Sequence, residues 1–167
     1  MRIAMTVAEK TFELLKSLSL TCATAESCTG GGVGSAITAV PGSSDVYLGG
    51  VVSYANSVKI GVLGVSPGTI ERHGAVSREC ALEMAEGVRR LLSADIAVSV
   101  TGVAGPGGGT PEKPVGLVWF AVASKDGSRA ERALFQGNRD EVRSQAVTHA
   151  LGMIAAAAMP PASEKTA

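Results

Sequence analysis

The chain has 167 residues, the span of one ordinary domain with room for a sizeable buried core. Its hydrophobic content is 46% while aromatic residues make up only 4%, a mix that suits buried strands alternating with small-residue helices, and so an α/β fold. Fifteen basic residues balance fifteen acidic ones, and the resulting zero net charge excludes a global field for gripping a nucleic-acid backbone or an anionic membrane. A small molecule is the expected partner.

Helical spacing of Val7, Phe12, Leu14, Leu15 and Leu18 predicts a first helix over residues 6–18, with Thr6 as its cap. Residues 21–25 predict a short strand of small residues, and 27–34 a polar, glycine-loaded turn leading into a second helix through 35–38. After the turn Pro41-Gly42-Ser43-Ser44, residues 49–54 predict a buried strand, and Asn56 is placed to cap a short helix carrying Lys59. Residues 67–73 predict one helical turn. A longer helix over 77–92 takes Ser77 as its cap, with Glu79 and Glu83 near its start and Arg89 and Arg90 near its end, as the helix macrodipole favours. A central strand over 96–100 follows.

Residues 102–116 hold six glycines and three prolines, too few side chains to pack, which makes the segment either an ordered functional loop or a flexible one. Strands over 117–124 and 129–135 predict a hairpin across Lys125-Asp126-Gly127-Ser128, and a last helix covers about 140–158. Residues 1–159 form a single domain without repeat or linker, and the polar tail 160–167 is expected to be disordered. The apolar stretch 150–159 is about half of what a bilayer crossing needs, so a soluble protein is expected. Cys22, Cys28 and Cys80, an odd number with no signal peptide ahead of them, point to reduced thiols in a cytoplasm.

The chemistry centres on Ala25-Glu26-Ser27-Cys28-Thr29-Gly30-Gly31. Between a strand and a helix start, the Ser27 hydroxyl would lie near unpaired backbone N–H groups that favour an oxyanion; a bare helix-capping role is the alternative. A Ser-His-Asp triad is not expected, because the two histidines are His73, in a surface-like turn, and His149, inside the last helix. Lys59, five residues beyond Tyr54, is the better base, since a strand end followed by a capped helix can aim both side chains at the same mouth as Ser27; a solvated lysine is the alternative. A neutral Lys59 near pH 7 requires a pKa lowered by about three units, a change that burial and a cationic neighbour can supply. Cys28 is expected to pack inward, and Cys22 and Cys80 to serve as small buried apolar residues. Glu26 would orient Lys59 or a ligand amide, or bond local backbone amides. No cysteine and histidine pair has metal-ligand spacing, so no metal is expected. The loop Thr101-Gly102-Val103-Ala104-Gly105-Pro106-Gly107-Gly108-Gly109-Thr110 offers backbone N–H groups to an anion, with Arg139 and Arg143 placed to meet a phosphate.

Taken together, the Ser27 segment, Ser53-Tyr54-Ala55-Asn56 with Lys59, Gly74-Ala75-Val76-Ser77, the glycine-rich loop with Lys113-Pro114-Val115-Gly116-Leu117-Val118, and Phe135-Gln136-Gly137-Asn138-Arg139 resemble the CinA C-terminal domain family over about residues 7–154. The resemblance implies a three-layer α/β/α fold with a mixed, mostly parallel five-stranded sheet, and a cofactor-free, cytoplasmic amidohydrolase. Its implied reaction converts nicotinamide mononucleotide and water to nicotinate mononucleotide and ammonia in pyridine-nucleotide recycling. Ser27 would be the nucleophile, Lys59 its base and Tyr54 a proton relay or positioning group. Ligand contacts would fall at Glu26, Thr29, Gly30, Gly31, Thr101, Gly102, Gly105 and Arg139. Homo-oligomers are expected, without a nucleic-acid or membrane partner. Longer members carry an additional N-terminal domain, so this chain would be a stand-alone form. The rival implication, from the family's association with competence and DNA damage, is a non-catalytic nucleotide-sensing or partner-binding module. Gly32, Gly34 and Val103 depart from the family's usual bulkier residues.

Overall fold

The computed structural model describes residues 4–159, so the predicted tail lies outside the described residues. Helix α1 (Val7–Ser17) precedes β1 (Cys22–Glu26); α2 (Gly32–Thr38) and a 3-10 turn (Ser43–Asp45) lead to β2 (Tyr47–Val52). Helices α3 (Asn56–Gly61), α4 (Pro67–His73) and α5 (Arg78–Leu92) lead to β3 (Ile96–Gly102). The hairpin of β4 (Leu117–Ser124) and β5 (Gly127–Leu134) is followed by α6 (Arg139–Ala158). Caps fix several of these boundaries. Thr6 and Glu9 form a reciprocal capping box on α1, Asn138 and Glu141 form another on α6, and the Ser77 hydroxyl accepts from Cys80 N–H at the start of α5.

The sheet order is β2-β1-β3-β4-β5. β1 runs parallel to both neighbours, β4 is antiparallel to β3, and β5 is antiparallel to β4. β5 therefore points the same way as β1, β2 and β3, and the sheet is the mixed, mostly parallel one expected. Side-chain alternation builds the two outer layers. Ile96, Val98 and Val100 of β3 join Val118, Phe120 and Val122 of β4 in a core with Phe12 and Leu15 of α1, Val33 and Ile37 of α2, and Val142, Ala146 and Ile154 of α6. The opposite face is lined by Ala97, Ala121 and Ala123, which lie in cores with Met84, Val88, Ala81 and Ala85 of α5. Large residues thus fill one layer and small ones let α5 lie close on the other, where the Ser99 hydroxyl donates to the Ala81 carbonyl at 2.6 Å.

Several boundaries differ from expectation: β3 runs on to Gly102, β5 starts two residues early at Gly127, and three further differences bear on the site. β2 starts at Tyr47 and ends at Val52, and it is an edge strand of alternating exposure instead of a buried one. α2 begins at Gly32, three residues earlier than predicted, because Glu26 supplies its N-terminal hydrogen bonds. Asn56 is the first residue of α3, whose N-cap is Ala55. The departure at Gly34 has a local cause: a Cβ there would lie 2.5 Å from the Tyr47 hydroxyl, which is held by Thr24 Oγ1 at 2.8 Å. Among the described residues no helix is long and apolar enough to cross a membrane.

Candidate active site

Ser27 sits one residue beyond β1, at the carboxyl end of the three parallel strands, where open α/β sheets place their ligands. Its N–H continues the ladder to the Val100 carbonyl (2.9 Å), and Ser53 N–H reaches the Glu26 carbonyl from the other side (2.8 Å). The ends of β2, β1 and β3 are thereby held level under the nucleophile candidate.

The chain then reverses sharply. Gly30 and Gly31 have φ of +60° and +97°, left-handed values that side chains other than glycine's rarely tolerate. That turn brings three amides back onto the Glu26 carboxylate, which accepts from Gly31 (3.1 Å), Val33 (3.0 Å) and Gly34 (2.9 Å) and is only 1% exposed. Of the readings open for Glu26, the local backbone one is what the structure contains, and its carboxylate makes no contact with Lys59. The amides at the start of α2, expected to be open for an oxyanion, are closed by this carboxylate. Gly30 and Gly31 shape the turn and do not line the pocket.

Lys59 comes from α3 with its ammonium end buried; the residue is 1% exposed. Its Nζ lies 3.0 Å from Ser27 Oγ, 2.6 Å from the Ser53 carbonyl and 3.3 Å from the Tyr54 carbonyl. Burial holds its pKa below the usual lysine value, since desolvation penalises the charged form. Among the described residues no carboxylate forms an ion pair with it. A neutral amine has two N–H donors and one lone pair. The three oxygen partners accept all three donors of the ammonium; in the neutral form the two carbonyls take both N–H donors and the lone pair is left for the Ser27 hydroxyl.

A pocket of about 250 Å³ opens beside Ser27, lined by Ser27, Cys28, Tyr54, Arg139 and loop residues 102–105, 107 and 108. Gly102 and Gly105 are therefore wall residues. The Tyr54 phenol is not brought to Ser27. The residue is 62% exposed, its hydroxyl lies 3.3 Å from Arg139 Nη2, and it forms a rim. Arg139 also donates through Nη1 to the Gly105 carbonyl at 2.8 Å, which leaves three of its five donors for a ligand. Thr101 faces away from the pocket: its hydroxyl donates to the Ala75 carbonyl at 2.9 Å, tying the segment before α5 to β3. The Thr29 hydroxyl is buried and, like that of Ser53, has no hydrogen-bond partner among the described residues. Arg143 is turned onto the main chain, with Nε 3.1 Å from the Cys28 carbonyl and Nη2 3.2 Å from the Thr29 carbonyl.

The cysteines are free and buried. Desolvation pushes the Cys28 thiol up to about 11, which disarms it beside Ser27, and raises Cys22 to about 12 and Cys80 to about 11. His149 pairs with Glu131 at 2.7 Å and His73 lies 3.7 Å from Glu79; neither touches Ser27. The participants that the sequence does not reveal are the Ser53 and Tyr54 carbonyls. A main-chain acceptor is the same atom in every residue, and no side-chain pattern announces it.

Comparison with known proteins agrees with this architecture. The family model for the CinA C-terminal domain matches residues 4–158. A CinA-like protein of Synechococcus sp. (strain RCC307) is 54% identical over 150 residues, 89% of this chain and 36% of that protein. A CinA-like protein of Thermotoga maritima is 48% identical over 143 residues, 86% of this chain and 35% of that one. The chain thus spans about a third of the length of these curated relatives. The crystal structure of the competence/damage inducible protein CihA from Agrobacterium tumefaciens matches with a TM-score of 0.86 at 41% identity, covering 93% of this chain and 98% of that one. That of a CinA superfamily protein from Enterobacter cloacae gives 0.87 at 35% identity, covering 95% and 96%. With the motifs, the sheet and nearly the whole described length in agreement, the chain belongs to the CinA C-terminal domain family.

Proposed function

We propose that this protein hydrolyses the carboxamide of nicotinamide mononucleotide to nicotinate mononucleotide and ammonia, with Ser27 as nucleophile and Lys59 as its base. The observation that carries the proposal is the buried Lys59 amine 3.0 Å from the Ser27 hydroxyl, with two carbonyls to take its N–H donors. The substrate is the one implied by the motif resemblance. A pocket wall formed by the glycine-rich loop, with the Arg139 guanidinium at the rim, is chemistry suited to its phosphate.

The neutral Lys59 takes the Ser27 proton as Oγ bonds to the carboxamide carbon and the carbonyl electrons move to oxygen. Collapse of that tetrahedral centre breaks the C–N bond, and the Lys59 ammonium returns the proton to the departing ammonia. Water then attacks the acyl ester, giving one proton to Lys59 and from it to Ser27. Net, one amide and one water become a carboxylic acid and ammonia. The positive pyridinium ring makes the carbonyl carbon more electrophilic throughout.

The test is ammonia release from nicotinamide mononucleotide by the parent protein and by Ser27→Ala. Loss of the hydroxyl is expected to lower kcat by about 10³-fold or more while substrate still binds. Parent-like turnover by the variant would exclude Ser27 as nucleophile. No ammonia from the folded parent would exclude the substrate.

A further inference from the structure

The turn that carries Ser27 is braced from the far end of the chain. The Arg143 guanidinium of α6 donates to two successive carbonyls, Cys28 at 3.1 Å and Thr29 at 3.2 Å. Its nearest carboxylate is Asp140, 4.0 Å away and 92% exposed, a contact too solvated to be its main purpose.

A planar trans peptide points its C=O and N–H in opposite directions, and both peptides concerned are trans. With the Cys28 and Thr29 carbonyls turned toward α6, the N–H groups of Thr29 and Gly30 point the other way. The Gly30 N–H shows what lies there, because it donates to the Ser27 carbonyl at 3.1 Å. Thr29 N–H, on the same side, has no acceptor among the described residues. The later amides at Gly31, Val33 and Gly34 are closed by Glu26. Within the turn itself, among the described residues, Thr29 N–H is thus an open donor at a peptide that Arg143 holds.

We infer that Arg143 is a positioning residue: it fixes the Cys28–Thr29 and Thr29–Gly30 peptides so that Thr29 N–H receives the carbonyl oxygen as the carboxamide carbon becomes tetrahedral. A cation on the Cys28 carbonyl draws density from that amide and strengthens the Thr29 N–H as a donor. Preorganised donors of this kind act on the transition state and leave ground-state binding little changed. This inference rests on the reading of Ser27 as nucleophile. It replaces the phosphate contact that the sequence suggests for Arg143, leaving that role to Arg139.

The experiment compares the parent, Arg143→Ala and Arg143→Lys in steady-state turnover of nicotinamide mononucleotide, with thermal melts of each. Arg143→Ala is expected to lose roughly 10²-fold in kcat with KM within about threefold, as when one oxyanion donor is removed. Arg143→Lys keeps the charge but reaches one carbonyl, so its kcat should fall about tenfold, and added guanidinium should raise the kcat of the alanine variant. A kcat within about threefold of the parent, or a loss confined to KM, would overturn the inference. If the alanine variant does not fold, the lysine variant decides on the same criteria. If the parent does not act on this substrate, the rate at which a fluorophosphonate labels Ser27 replaces turnover, because its phosphoryl oxygen needs the same donor. Slower labelling in Arg143→Lys then upholds the inference although the substrate is wrong; equal labelling, or none in the parent, overturns it.

Discussion

Glu26 shows how much of the site depends on one buried carboxylate. It takes three amides that α2 would otherwise leave unpaired, and by doing so it sets where that helix begins and how Ser27 is presented. Glutamine at this position has one oxygen to accept with, and its NH2 group would confront amides that are themselves donors. Glu26→Gln is expected to cost about 2 kcal/mol, the scale of hydrogen bonds to a charged group. For a chain of this size that lowers Tm by roughly 4–8 °C. A variant melting within a degree of the parent would mean that the carboxylate does not organise the turn. The strand end and following short helix made the pairing of Ser27 with Lys59 available in the sequence, and the motif resemblance favoured it over a capping serine and a solvated lysine. The choice open to Glu26 was not legible, since the amides reach it only through two left-handed glycines whose conformation no composition reveals. Tyr54 does reach the mouth that holds Ser27, but as an exposed rim residue: past the end of β2, Ser53 turns inward and Tyr54 outward.

Helices α1 and α5 were readable nearly to the residue because caps and periodicity agree there, whereas β2 was not. An apolar run such as Gly49-Gly50-Val51-Val52 looks central, and whether a strand lies at an edge depends on sheet order, which local sequence does not contain. The glycine-rich segment takes the ordered of its two alternatives, pinned by hydrogen bonds between Val103 and both Gly116 and Leu117 and between Thr110 and Lys113. Gly87 in the middle of α5 is another feature that only packing explains. An exposed helical glycine costs about 1 kcal/mol relative to alanine, so a replacement should stabilise. A Cβ at Gly87, however, would lie 2.0 Å from the Leu63 carbonyl oxygen, a main-chain atom that cannot turn aside. Gly87→Ala is expected to destabilise by about 1–3 kcal/mol, the range of overpacked cores. Gly152→Ala in α6, where nothing lies within 4 Å, should leave stability unchanged or raise it by up to about 1 kcal/mol. Thermal melts of the two variants check the pair, and a Gly87→Ala protein as stable as Gly152→Ala would show that the helix and the Leu63 segment separate at no cost.

The site is assembled from segments around residues 27, 53–59, 102–108 and 139–143, and burying the Lys59 amine among them has a cost that the whole fold bears. The folded pKa of Lys59 lies below the ordinary lysine value of 10.5 because desolvation disfavours its charge. Below the folded pKa both folded and unfolded chains carry the proton, and the folded state bears the full penalty. As pH rises from the folded pKa toward 10.5, the folded lysine has released its proton while the unfolded one still holds it, so the protein gains stability across that window. Lys59→Met removes the titrating group, and the thiols and phenols common to both proteins largely cancel in the difference. The Tm of the parent relative to the variant is therefore expected to climb from the folded pKa of Lys59 up to about 10.5 and to level off above it. Activity should follow the same group, with the acid limb of kcat rising as Lys59 becomes neutral and its midpoint falling inside the window defined by the melts. A Tm difference that stays flat across that range would mean the buried amine keeps its proton as firmly as a free lysine, and Lys59 could not then act as the base for Ser27 near neutral pH.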